Sequence, residues 1–339
     1  MRVAMYYRNS DVRLQEMPTP TPGPGEMLVK AMACGICGSD VLEWYRIKKA
    51  PLVLGHEMAG EIAAVGTGVQ KYKIGQRVFV SHHVPCNTCR LCLSGHHTAC
   101  ETLHTTNYFP GGFAEYVRVP PINVDRGVFV LPDSVSYDDA TFIEPLSCVL
   151  RGQKAIRPDP GSTILVIGSG ISGLLHILAA RWFGAGRIIA TDVNPHRREL
   201  AKKFGAHVVL SATDDVPAKV REANDGRLAD RVILCAGAPQ AAQQALRSVE
   251  RGGTVLFFAV PTEDIAVPIN SFWRNDVTMK TSYAGDPTDV TQALDLIQAG
   301  ALPTRDLITH RLGLADAQKG FLLVAQASES IKVIIYPNQ

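Results

Sequence analysis

No apolar run in this 339-residue chain is long enough to cross a bilayer. The longest, such as Ile164 to Ile167 and Val255 to Val260, fall far short of the roughly 20 residues that a spanning helix requires. An excess of one charge is also lacking. Lys and Arg number 34 against 32 Asp and Glu, a formal net charge of +2, with no basic run or polybasic amphipathic stretch. That balance argues against a nucleic-acid or membrane partner and for a small-molecule one. Low-complexity sequence and internal repeats are absent as well. With 46% apolar and 19% charged residues the composition is globular, and the length suits two domains better than one. The N-terminus, Met1-Arg2-Val3-Ala4-Met5-Tyr6-Tyr7, turns polar without the apolar core of a signal peptide, so the expected location is the cytoplasm.

Of the eight cysteines, four fall within one short stretch, Cys86-x2-Cys89-x2-Cys92-x7-Cys100. In a reducing compartment such clustering points to a metal rather than to disulfides. Four thiolates saturate a tetrahedral zinc and leave no open position, so the site is structural. An iron–sulfur cluster takes four thiolates too and is the rival.

Hydrophobic patterning changes character along the chain. Residues 1–148 read as β-rich, with short alternating runs at Met27–Ala33, Met58–Val65, Arg77–Val80 and Phe113–Val119 separated by Gly and Pro. From Thr163 the pattern alternates strand and helix. Strands fall at Thr163–Ile167, Arg187–Thr191, Arg231–Cys235 and Thr254–Ala259, and helices at Leu174–Phe183, Glu199–Phe204 and Ala241–Val249. That is the signature of a doubly wound parallel sheet. From about 285 the chain returns to mixed character, with a helix at Val290–Ala299 and a closing strand at Ile331–Tyr336.

Gly168-Ser169-Gly170-Ile171-Ser172-Gly173 follows the first buried strand and opens a helix, which is the context a dinucleotide-binding turn needs. Gly168 permits the turn, Gly170 lets the backbone approach the pyrophosphate, and Gly173 lets helix and strand pack closely. The helix N-terminus presents amides and partial positive charge to the phosphates. Asp192, ending the second strand, suits the ribose hydroxyls and repels a 2′-phosphate, which favours NAD. Arg197 and Arg198 close by keep NADP as the alternative.

Three further donors are scattered. Cys37 lies in Cys34-Gly-Ile-Cys37-Gly-Ser39-Asp40, His56-Glu57 follows Gly55, and Glu144-Pro145 precedes the nucleotide-binding stretch. A Cys, His and carboxylate set leaves zinc a vacant position for catalysis, whereas a lone His at a strand start is ordinarily a packed or surface residue.

These motifs together resemble the zinc-dependent medium-chain alcohol dehydrogenases, especially the polyol branch that includes the sorbitol dehydrogenases. The matching stretches are Cys37-Gly-Ser39-Asp40, Gly55-His56-Glu57, the four-cysteine loop, Gly111-Gly112-Phe113-Ala114-Glu115-Tyr116, Glu144-Pro145-Leu146-Ser147 and the Gly168–Gly173 turn. They occur in family order over essentially the whole chain. The resemblance implies an α/β protein with a GroES-like β-barrel catalytic domain, residues 1–148 and 285–339, around a Rossmann NAD-binding domain, residues 149–284. It implies two zinc ions per chain and NAD-dependent oxidation of a secondary alcohol on a polyol, cyclitol or sugar derivative. L-threonine-3-dehydrogenase-like or simple secondary-alcohol chemistry is the alternative. By similarity Cys37 and His56 are ligands of the catalytic zinc. Glu144 occupies the region of the third ligand, and Glu57 ligates directly, exchanges with Glu144 or holds the bound water. Cys148 is the weaker ligand candidate, and Asp40 orients His56. Ser39 takes the substrate proton. A relay histidine that many relatives carry five residues after the cysteine is Leu42 here, with Glu43 beside it, so Glu57 or a water chain is expected to replace it. His82 and His83 read as a solvated or packed pair. Trp44, Tyr45, Phe109, Trp273 and Tyr283 are either pocket lining or packing. A homo-tetramer or homo-dimer is expected.

Overall fold

Every residue of Thr163–Ile167 is buried, as a pure β-branched and leucine run requires of a strand covered on both faces. The strand lies at the centre of one of two units into which the computed structural model, describing all 339 residues, divides. One unit comprises Met1–Ser147 with Gly285–Gln339, the other Cys148–Ala284.

The second unit is a six-stranded parallel sheet in the spatial order Val208–Ser211, Arg187–Asp192, Thr163–Ile167, Ala229–Leu234, Val249–Phe257, Thr278–Thr281. Numbered along the chain, that order is third, second, first, fourth, fifth, sixth, so the winding reverses beside Thr163–Ile167. The helix after this strand begins at Ile171 rather than at the expected Leu174. Its first turn, Ile171-Ser172-Gly173, holds a single apolar residue and so shows no apolar periodicity. The next helix begins at Pro195 rather than Glu199, capped by the Asn194 side chain. Its polar opening again hides it, although proline suits a first helical position. The strands Val208–Ser211 and Thr278–Thr281 were not expected. Both are sheet edges with no fully buried residue, so neither shows an apolar run.

In the first unit, Met27–Gly35 is the hub of a seven-stranded sheet. It pairs antiparallel with Glu57–Val65, Tyr116–Val119 and Lys332–Tyr336. A three-stranded sheet, Asp11–Glu16, Arg2–Arg8 and Leu52–Val53, contributes to the same apolar core, where the Phe321 ring lies 5.6 Å from both Tyr6 and Phe113. The expected strand Phe113–Val119 shortens to Tyr116–Val119, because Gly111-Gly112-Phe113 is bent over Gly55. There the Gly112 amide donates to the Gly55 carbonyl at 2.8 Å. Gly55 has φ +93°, and a side chain on it would press on the Phe113 amide nitrogen and the Cys34 sulfur. The Gly preceding His56 is thus set by close packing. Gly35 stands opposite Glu57 in the sheet register, which brings the segment after Gly35, with Cys37, beside the start of Glu57–Val65, with His56. No helix is long and apolar enough to cross a membrane.

His176, in the helix after the glycine turn, is fully buried. Its Nδ1 lies 3.2 Å from Gln153 Nε2, and Phe258 meets the ring edge-on at 4.5 Å. Burial lowers its pKa to about 3. The unfolded chain therefore takes up a proton that the folded chain refuses once the pH drops below the ordinary histidine value, and stability falls as pH falls. Replacing His176→Gln should flatten denaturation midpoints measured between pH 6 and 4, by at most about 1.4 kcal/mol per pH unit. Parallel curves for parent and variant would refute this assignment.

Candidate metal centres and dinucleotide loop

Cys37, His56 and Glu57 bring one donor atom each to within 4.8 Å of one another. Cys37 caps the short turn Gly38–Val41, where the Ser39 amide donates to its Sγ at 3.4 Å and the Cys37 amide donates to Asp40 at 3.1 Å. Asp40 is fully buried, and its Oδ1 lies 3.3 Å from His56 Nδ1. With Nδ1 facing a carboxylate, the other ring nitrogen is presented as a metal donor. Burial opposes charge on His56, yet Asp40 and Cys37 outweigh it and hold its pKa well above the ordinary value. Burial likewise opposes ionisation of Asp40, but His56 and Arg46 keep its carboxyl below the usual range. Anionic groups converging on one imidazole are the charge pattern a divalent cation satisfies.

Glu57 is 1% exposed, and one of its oxygens, Oε2, accepts a hydrogen bond from Lys332 Nζ, itself 1% exposed. Glu144 and Cys148 do not join the close donor group. Glu144 does act, with Asp40 and Glu57, on the buried Tyr108, so it belongs to the same charged neighbourhood. Ser39 Oγ accepts from Arg46 Nη2 at 3.2 Å. His82 lies against His56, with ring centroids 4.9 Å apart. Trp44, Tyr45 and Phe109 of this unit are between 40% and 47% exposed, so none is core packing.

The thiols of Cys86, Cys89, Cys92 and Cys100 form a second donor group. Their Sγ–Sγ separations are 3.6 Å for Cys89–Cys92 and Cys86–Cys100, and 3.9 Å for Cys86–Cys92 and Cys89–Cys100. Disulfide sulfurs would stand about 2.05 Å apart. Four sulfurs at about 2.3 Å from a tetrahedral zinc stand about 3.8 Å apart, which these values bracket. Amides of Thr88 and Cys89 point at Cys86 Sγ and lower its pKa, while burial raises that of Cys92.

In the second unit the glycine turn follows the central strand at the point where the winding reverses. Gly168 has φ +92°. A side chain on Gly173 would collide with the Gly168 carbonyl oxygen, so this close approach requires glycine. Gly170 caps the helix, and Ile171, Ser172 and Gly173 form its first turn, whose amides have no partners within the helix. Asp192 is held from two sides: Oδ2 accepts from the Ser169 amide and Oδ1 from the Asn194 amide, both at 2.8 Å. The Arg197 guanidinium lies over Gly170, 3.5 Å from where a side chain there would begin.

Sequence reasoning missed Arg46 and Lys332. Neither lies in a recognisable motif, and Lys332 is 275 residues from the glutamate it bonds.

The comparisons with known proteins agree with this geometry. Residues 23–132 match the family model of the alcohol dehydrogenase GroES-like domain, and residues 172–299 that of the zinc-binding dehydrogenases. Sorbitol dehydrogenase of Bacillus subtilis is 34% identical over 100% of this chain and 98% of its own. A probable D-xylulose reductase A of Aspergillus clavatus is 32% identical over 96% and 93%. The solved alcohol dehydrogenase of Thermus sp. ATN1 superposes with a TM-score of 0.87 at 29% identity, covering 99% of both chains. The chain belongs to the zinc-dependent medium-chain alcohol and polyol dehydrogenases, an oxidoreductase family whose cofactors are zinc and NAD.

Proposed function

We propose that this protein oxidises a secondary alcohol of a polyol, cyclitol or sugar derivative, passing hydride to NAD and a proton to Ser39. The observation that carries the proposal is the convergence of Cys37 and His56 beside a buried carboxylate, with the Ser39 hydroxyl on the same turn. Cys37, His56 and Glu57 would hold the catalytic zinc, since Glu57 bonds Lys332 through Oε2 alone and keeps its other oxygen for a metal. Glu144, in the same charged neighbourhood, would exchange with Glu57 as third ligand. Bound there, zinc supplies Lewis acidity towards the alcohol oxygen, and NAD on the glycine turn supplies the hydride acceptor. The chain's own residues do the rest. Ser39 Oγ takes one hydrogen bond from Arg46 and keeps a second lone pair to accept from the substrate hydroxyl, so the proton it gains is balanced by release of its own hydrogen to water. Asp40 fixes the His56 ring through Nδ1. Asp192 holds the ribose, and the amides of Ile171, Ser172 and Gly173, with Arg197 beside them, face the phosphates. The substrate carbon loses two electrons with the hydride, and the O–H proton leaves through Ser39. The four-cysteine loop holds the structural zinc. None of the eight cysteines is in a disulfide, which suits the cytoplasm.

Two chains pair along the edge strand Thr278–Thr281, whose four residues are exposed. Around it stand Trp273, 84% exposed, and Ile269, 67% exposed. An open edge flanked by large apolar side chains is otherwise an aggregation hazard.

Four measurements test these assignments. The zinc-loaded protein should reduce NAD with a vicinal polyol or cyclitol. Cys37→Ser or Glu57→Gln should abolish turnover and lower metal content from about two zinc ions per chain to about one. Full metal content in Glu57→Gln, with loss in Glu144→Gln instead, would reverse the roles given to the two glutamates. Cys89→Ser should also lose one zinc and unfold at lower temperature, because four closed ligands contribute to folding itself; an unchanged melting temperature would rule out a structural metal there. Trp273→Glu should halve the particle mass seen by light scattering, and an unchanged mass would place the interface elsewhere.

A further inference from the structure

Arg46 is anchored beside the candidate catalytic zinc donors by bonds that leave part of it open. Nε donates to the Ser39 carbonyl at 2.9 Å, and Nη2 donates to Ser39 Oγ at 3.2 Å and lies 3.6 Å from Asp40. Nη1 has no hydrogen-bond acceptor in the protein. The side chain is only 16% exposed, so a cation that cannot shed its proton is largely withdrawn from water. The nearby carboxylates are already engaged. Asp40 faces His56, Glu57 is bonded by Lys332, and Glu43 is turned away to accept the Asn9 amide at 2.7 Å.

Further donors gather around Arg46. The Tyr45 ring carries the Arg46 guanidinium at 5.0 Å and the Lys49 ammonium at 5.2 Å, which brings two cations together on one aromatic. The His82 and His83 rings lie 3.9 Å apart, tilted by 35°, and His82 Nδ1 is buried with no hydrogen-bond partner. A buried nitrogen without a partner is costly unless a ligand supplies one. Burial, and then His56, His104, Arg46 and Lys49, lower the pKa of His83 to about 4.

We propose that Arg46, Lys49, His82 and His83 form a recognition site for an anionic group, so that the alcohol oxidised here carries a phosphate or a carboxylate. The proposal rests on the zinc-dehydrogenase reading of Cys37, His56 and Ser39. A neutral polyol would offer these donors only hydroxyl oxygens. An anion supplies acceptors for Nη1 and for the ring N–H groups, and compensates the two cations. Arg46 thereby serves twice, holding Ser39 with one edge and the substrate's charge with the other.

The test compares matched substrates: sorbitol, sorbitol 6-phosphate and gluconate. One anionic member should exceed sorbitol in kcat/KM by about 100-fold. Arg46→Met should reduce that ratio by about 10- to 100-fold, as the loss of a hydrogen bond to a charged group does, and Arg46→Lys should retain part of it. The Lys49→Gln variant should lower the ratio in the same direction. Inorganic phosphate and malonate, titrated calorimetrically into the zinc-loaded protein, read binding without turnover and show which of phosphate and carboxylate is favoured. A parent enzyme with no preference over sorbitol, or a ratio unmoved by Arg46→Met, would overturn the proposal, and so would failure of both anions to bind. Anion binding that depends on Arg46, with no alcohol oxidised, would support the anion site and sink the dehydrogenase reading instead.

Discussion

A lysine with 1% of its surface exposed persists as a cation only beside a carboxylate, and the rest of the catalytic unit is arranged around that requirement. Lys332 opens the last strand of the chain, Glu57 opens the strand that follows His56, and the hub strand ending at Gly35 runs between them. Gly35 leaves the space that the pair fills, since any side chain there would overlap both partners. The pair therefore fixes the start of the His56-Glu57 strand against the segment that leads to Cys37. It also joins the two ends of a discontinuous unit, whose chain leaves at Ser147 and returns at Gly285. A buried ion pair of this kind gains little net free energy over an apolar pair of the same volume. Its value lies in the register it enforces, because a slip would leave two charges without partners.

The same constraint divides the carboxylates into separate tasks. Glu57 and Asp40 are both buried next to His56, and each has a cationic or imidazole partner of its own, Lys332 for Glu57 and His56 for Asp40. Two buried carboxylates so close together would otherwise raise each other's pKa. Held apart by different partners, one sets the strand and the other sets the imidazole. The second unit applies the same economy to Asp192, whose oxygens take two backbone amides before any ribose arrives. The carboxylate is thereby positioned in advance, and less ordering remains to be done when cofactor binds.

Local features were legible in the sequence and distant pairings were not. The Gly168–Gly173 turn could be read because strand, turn and helix are contiguous and their order carries the chemistry. The four-cysteine loop could be read because all its donors lie within fifteen residues, numbers 86 to 100. Lys332 could not, since nothing near it marks it as different from a surface lysine in a strand. Arg46 could not, since its partners Ser39 and Asp40 are close in sequence but are reached only by the fold of two short turns. The edge strands Val208–Ser211 and Thr278–Thr281 escaped for the opposite reason: their residues are not buried, and periodicity records burial.

Leu42 stands where the resemblance to the family implies a relay histidine, and the residues around it bear on how a proton would leave Ser39. A leucine can neither accept nor pass a proton, so the path from Ser39 cannot continue through that side chain. Arg46 occupies the far side of the Ser39 hydroxyl instead, and a guanidinium does not release its proton at any ordinary pH. It acts through charge and direction. By donating to Oγ it leaves the second lone pair of the serine for an incoming hydroxyl, and its positive charge favours an anionic oxygen nearby without taking up the proton itself, so the serine's hydrogen has water as its outlet. A relay residue must be mobile and titrate near the working pH. A fixed cation need be neither, which fits a side chain held by two hydrogen bonds, a carboxylate and an aromatic ring.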